Sequence, residues 1–180
     1  MDKDLFGKNI EIVDSAYEEL KNYDSNTFDE RLLRLKEINS IFPFGNKEFG
    51  SDESFKIFNE AIHSYIFGQF ISTIILAQSF IERRFQEYFH LRNDNKRAKM
   101  SMSQFIKEFK GTEFLPDYIL LKINKIRLKR NPFVHHRNPL HTDSLMNRAI
   151  TNEIQPVHLL HNDARESIEI MFHMVQRNII

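Results

Sequence analysis

The chain has 180 residues, enough for one domain with a proper hydrophobic core, and a second independent core is not expected. Hydrophobic residues make up 41% and charged residues 28%, a globular balance that excludes disorder; no cysteine is present, which excludes disulfides and thiolate metal sites and makes a reducing, cytoplasmic setting the expected one. The 25 basic and 25 acidic side chains cancel, which excludes a globally basic nucleic-acid coat protein while leaving room for a local basic groove.

Phe is used 17 times, Gly and Pro five times each, so the sequence favours long helices over many short strands joined by tight turns. Met1-Asp2-Lys3-Asp4 opens acidic with no apolar run behind it, and no signal peptide is expected. Ile10, Val13, Tyr17 and Leu20 follow a helical period and predict a first short amphipathic helix. Thr27-Phe28-Asp29-Glu30 has capping-box spacing and predicts a second, with Phe28, Leu32 and Leu35 on one face. A Pro and two Gly between Ser40 and Ser51 mark a loop, which divides an N-terminal helical extension, residues 1–50, from a main bundle, residues 51–180, within one compact domain.

The longest periodic segment runs from about Asp52 to Arg92. Phe55, Phe58, Ile62 and Tyr65 form one stripe, and Ile66, Phe70, Ile74, Ala77, Ile81, Phe85 and Tyr88 continue along a rotated one, with Gly68 placed for a bend or a close helix contact. From Ala61 to Ile81 there is no charged residue, a length that could span a bilayer, but seven polar residues from His63 to Ser79 make a buried central helix the better reading and no membrane partner is expected. Asn93 to Arg97 reads as a polar turn. Ser101-Met102-Ser103-Gln104 has capping-box spacing for a short helix through Phe109, ended by Gly111. Leu115 to Arg130 is the next helix, a short one follows His141-Thr142-Asp143, and the last runs from about Gln155 to Asn178 with Val157, Leu160, Ala164, Ile168, Met171 and Val175 on its buried face. No strand pattern appears. The fold class is all-α.

Ile119, Ile123 and Ile126 share a helical face whose next position is Arg130. A charge that extends a core stripe is costly to desolvate unless it meets an anion or a hydrogen-bonding partner, which places Arg130 at a pocket mouth or an interface. Pro132 disfavours helix at Asn131, so the sequence predicts that one helix ends there and a new one begins, with Asn131 as N-cap and Pro132 at the first position. In that register Arg130 and His135 are neighbours at a helix N-terminus, an end that favours anions. Arg holds phosphate as a permanently charged fork, and His moves a proton near neutral pH. Without any metal or cofactor, such a pair suits cleavage of RNA by attack of the ribose 2′-hydroxyl on the adjacent phosphodiester. A two-fold dimer would supply a second His and line both sides of one RNA cleft.

Arg130-Asn131-Pro132-Phe133-Val134-His135 resembles the motif of the HEPN superfamily, an Arg followed by four to six residues and a His, with a polar residue often after the Arg. The helix from Gly68 to Phe89, with Glu82 after its apolar run, is similar to the long HEPN helix that packs beside that motif, and the resemblance covers roughly Asp52 to Asn178 in helix order. It implies a HEPN-like up-and-down helical bundle that dimerises with its motifs facing each other, and an endoribonuclease acting on single-stranded RNA as a toxin or antiviral-defence effector, with an antitoxin or regulatory protein as a possible partner. It equally covers members that have lost activity and bind a nucleotide, RNA or a partner protein. On this reading Arg130, Asn131 and His135 are catalytic, and Glu82 and His136 support them. Lys122, Lys125, Arg127 and Lys129 form a basic track for the RNA backbone, with Arg137 as a further contact. The competing readings are a solvated basic face, a Glu82 that is only a surface carboxylate, and a metal site built on His158, His161 and Asp163.

Overall fold

The computed structural model describes residues 15–42, 49–136, 138 and 141–176. Among these residues there are eight helices and no strand: α1 (Ser15–Ile41), α2 (Asp52–Ile66), α3 (Phe70–Leu91), α4 (Asn95–Ala98), α5 (Met102–Phe109), α6 (Asp117–Val134), α7 (Leu145–Thr151) and α8 (Pro156–Gln176). The all-α class is therefore observed. Ile10, Val13, Arg137, Pro139 and Asn178 lie outside the described residues, as does most of the loop before Ser51.

The two short helices expected at the N-terminus are one. Thr27 does not cap a new helix; its hydroxyl donates to the Tyr23 carbonyl one turn back at 2.8 Å, and with neither Gly nor Pro between Ser15 and Ile41 the helix runs through. This helix packs into the bundle, with Ile38 and Phe42 fully buried in the common core.

The long segment from Asp52 to Arg92 divides instead into two. At the end of α2, Gly68 adopts φ +75°, the Gln69 N–H bonds the Ser64 carbonyl at 2.8 Å and the Gly68 N–H bonds the Tyr65 carbonyl at 3.0 Å. This is a Schellman motif, which reverses the chain where a side chain in the left-handed region would be strained. The uncharged run from Ala61 to Ile81 is thereby cut in half, and among the described residues no helix is long and apolar enough to cross a membrane. Asn93, at φ +58°, ends α3 in the same way, with Asp94 N–H on the Phe89 carbonyl. The polar turn expected there contains the single helical turn α4. Ser101 and Gln104 form the expected capping box of α5.

Side-chain contacts fix the directions of the four principal helices. Tyr65 meets Phe70, Phe58 meets Phe80, and Ser54 bonds Glu87, so α2 and α3 are antiparallel. Phe70 meets His161 at one end of α3, and farther along Phe58 bridges Phe80 and Phe172, so α3 and α8 run the same way. Lys129 pairs with Asp163 while Tyr118 meets His173, so α6 opposes α8. The result is an up-and-down arrangement of α2, α3, α6 and α8, with α1 laid along one side. Two aromatic clusters account for much of the Phe content: Phe42, Phe49, Phe58, Phe80 and Phe172 at one level, and Phe85, Phe89, Phe105, Phe109 and Phe114 at another. Along α8, Ala164, Ile168, Met171 and Val175 are buried as expected, whereas Val157 is 54% exposed and Leu159 takes the inward place.

Candidate functional site

Ile119, Ile123 and Ile126 are buried on α6, and Arg130 continues their stripe at half-burial. Its Nε is buried without a hydrogen-bond partner. Each of the other described arginines, from Arg31 to Arg165, has at least one hydrogen bond or ion pair; Arg130 alone among the described residues has none. A half-buried guanidinium without a counter-ion is unfavourable by itself and favourable once an anion arrives.

The helix break expected at Asn131-Pro132 is absent. α6 passes through Pro132 and ends at Val134, where the His135 N–H closes the last turn on the Asn131 carbonyl at 3.0 Å. Proline lacks the N–H that would bond the Leu128 carbonyl, but so near the end the helix loses little else, and Phe133 packs against the core and anchors the turn. Arg130 and His135 therefore do not sit at a helix N-terminus. Five residues apart at the end of one helix, they point about 140° apart around its axis, and the carbonyl end of α6 carries the negative pole of the helix dipole. His135 takes an extended conformation, φ −127°, and both His135 and His136 are exposed, while Asn131 is half-buried.

Glu82 supports neither residue. Its carboxylate accepts from the Met102 N–H at 3.2 Å and so caps the start of α5. Counting along the antiparallel α3 and α6 from the contacts of Phe114 with Phe85, Tyr88 and Phe89 puts Arg130 level with the first turn of α3, roughly 15 Å from Glu82 along the axis. Of the expected basic track, Lys122 and Lys125 are exposed and line, with Glu166 and Glu169, a small recess between α6 and α8. Arg127 bonds Asn124 at 3.0 Å. Lys129 is withdrawn from any RNA: its ammonium is clamped by Asp163 at 2.8 Å and Glu166 at 2.6 Å. Asp163 also takes both oxygens to Arg148, at 2.7 and 2.8 Å, so this buried carboxylate ties α6 and α7 to α8.

A constellation not anticipated from sequence lies between α1 and α8. Tyr65 donates its hydroxyl to Glu37 at 2.6 Å, His161 Nε2 lies 3.0 Å from the Tyr65 oxygen, and Arg165 pairs with the other Glu37 oxygen at 3.0 Å. Burial first, and then the bond to the Glu37 carboxylate, push the Tyr65 phenol well above its usual range. Of these groups Glu37 and His161 border a groove of about 670 Å³ lined by Leu33, Lys36, Phe70, Val157 and His158 among others. His158 and His161 were legible as an i, i+3 pair, but Glu37 and Tyr65 come from other helices. Asp163, considered with them as a metal ligand, is committed to Lys129 and Arg148, and among the described residues no group of three or more His, Asp or Glu is arranged to hold a metal.

Burial lowers the pKa of His161 despite the opposing pull of Glu37; Arg34, Arg165 and His158 lower it further. The unfolded chain then binds the proton more readily than the folded one. His161 accordingly contributes stability that is complete above the ordinary histidine range and is lost as pH falls through it toward the lowered value. Thermal melts of the protein between pH 7.5 and 5 should show a falling melting temperature, and His161→Gln should flatten that slope; an equal slope in the variant would exclude His161 as its source.

Comparison of the chain with family models, with curated proteins and with solved structures gave no match.

Proposed function

We propose that the protein is a metal-independent, HEPN-like endoribonuclease that acts on single-stranded RNA, with Arg130 as phosphate ligand and His135 as proton-transfer group. The single observation that carries this reading is the unpartnered, half-buried guanidinium of Arg130 within an Arg-x4-His motif whose imidazole is exposed. Because the two side chains diverge on one α6, the reading requires a homodimer in which His135 of one chain serves Arg130 of another across a shared cleft. One His135 of the dimer would take the proton of the 2′-hydroxyl as it attacks phosphorus, and the P–O5′ bond would break to leave a 2′,3′-cyclic phosphate. The other His135 would give a proton to the departing 5′-oxygen, and Arg130 would offset the charge that grows on the phosphoryl oxygens. Lys122 and Lys125 would steer the RNA backbone, and His136 would be a further phosphate contact. A role as a toxin or defence effector restrained by an antitoxin belongs to the same proposal.

The divergence of Arg130 and His135 also favours a second reading, a non-catalytic module that binds RNA, a nucleotide or a partner protein through Arg130. Incubation with single-stranded RNA in excess chelator separates the two. Cleavage that persists under chelation and falls about 100-fold or more in His135→Ala supports the enzyme. RNA binding without cleavage, weakened in Arg130→Ala, supports the module, and undiminished cleavage by both variants would remove the function from this site.

A further inference from the structure

The groove between α1 and α8 holds polar groups that the ribonuclease reading leaves unused. Its two carboxylates are already neutralised within the protein, Glu30 by Arg34 at 3.3 Å and Glu37 by Arg165 and Tyr65. What remains is Lys36, exposed and without an ion pair among the described residues, together with the imidazoles of His158 and His161. Hydrogen-bond order then decides the tautomer of His161. Tyr65 gives its only proton to Glu37, so toward His161 its oxygen can only accept. Nε2 therefore carries the proton, and Nδ1 is left as an acceptor with no protein partner among the described residues. The site thus offers one acceptor that wants a hydroxyl, one uncompensated cation, a second imidazole near that of His161, and apolar surface from Leu33, Phe70 and Val157. Its volume, about 670 Å³, is that of a small-molecule site.

From this arrangement we infer that the groove binds a hydroxyl-bearing organic phosphate, in the simplest case a ribonucleotide. A ligand hydroxyl donates to His161 Nδ1, Lys36 and His158 meet the phosphate, and the aromatic body lies against Phe70 between Leu33 and Val157. Glu37 and Tyr65 are positioning residues, since they set the tautomer without touching the ligand. The inference is independent of the ribonuclease reading, because none of these residues belongs to the Arg130–His135 segment.

The test is a titration of the full-length protein with adenosine 5′-monophosphate, followed by the imidazole ¹⁵N resonances. In the free protein His161 should show protonated Nε2 and unprotonated Nδ1, and the nucleotide should shift His161 and His158 saturably. Lys36→Ala, an exposed substitution, should weaken binding about tenfold, whereas Lys107→Ala on α5 should leave it unchanged. Adenosine, which lacks the phosphate, should bind no better than the nucleotide does to Lys36→Ala. Tyr65→Phe should redistribute the His161 tautomers, a readout that lost packing alone would not produce. A His161 protonated on Nδ1 in the free protein would overturn the inference. So would an absence of saturable shifts at millimolar nucleotide, or shifts indifferent to Lys36→Ala.

Discussion

Replacing Asp163 by asparagine is expected to cost about 3–5 kcal/mol of unfolding free energy, because it leaves buried cations without their carboxylate, and to lower the melting temperature by roughly 10 °C. The Asp163 side chain is 2% exposed, and the Lys129 and Arg148 side chains that pair with it are 15% and 18% exposed. Asparagine keeps the shape and one acceptor oxygen but removes the charge, so two desolvated cations face a neutral amide. Lys129 retains Glu166, which limits the loss on α6; Arg148 has no second carboxylate among the described residues. The Ser167 hydroxyl, on the Asp163 backbone carbonyl at 2.7 Å, is untouched by the change. Replacing all three charged groups with apolar residues of similar volume should cost far less than Asp163→Asn alone, since what destabilises is the unpaired charge. Chemical unfolding of both proteins decides it: a triple variant as unstable as the single one would show that the ion pairs themselves, and not their completeness, hold α6 and α7 to α8.

The second large effect is expected at Phe58, where truncation to alanine should cost about 3–5 kcal/mol. Phe58 is 1% exposed, and its ring lies 4.6 Å from Phe49, 5.4 Å from Phe80, 5.6 Å from Phe172 and 5.7 Å from Phe42. It therefore joins α2 to α3, to α8 and to the end of α1, and a cavity there is bordered by rings too large to collapse into it. Phe28, on α1, is 58% exposed, and its truncation should change stability by no more than about 0.5 kcal/mol. Urea unfolding of the two variants should show a lowered midpoint for Phe58→Ala alone. A similar midpoint for both would mean that the α1–α2–α3–α8 junction is not the centre of the core.

How much of this could be read from the sequence depended on whether a signal was local. The capping box at Ser101 was legible because both of its partners lie within four residues. The similar spacing at Thr27 misled because the same hydroxyl can serve a helix interior by bonding one turn back, and only the absence of a breaker nearby separates the two outcomes. Gly68 carried a signal whose strength periodicity hid: the stripes on either side of it look continuous although they belong to two antiparallel helices. At the candidate site, Arg130 was correctly placed as the charged continuation of a buried stripe. The convergence with His135 failed because Phe133 packs on the core and holds Pro132 inside the final turn. Glu37, Tyr65 and His161 stand 28 and 96 residues apart in the chain, and no spacing rule reaches that far.

The Schellman turn at Gly68 has a further consequence for how the chain finds its fold. It lets α2 and α3 meet across a connection of three residues, so their shared surface closes with almost no loop entropy. The pairing of α3 with α8, by contrast, joins segments separated by α4 to α7 and must wait for that intervening chain to be gathered. The α2–α3 hairpin is in this sense the low-contact-order seed of the bundle, and the residue that sets its reversal is the one without a side chain.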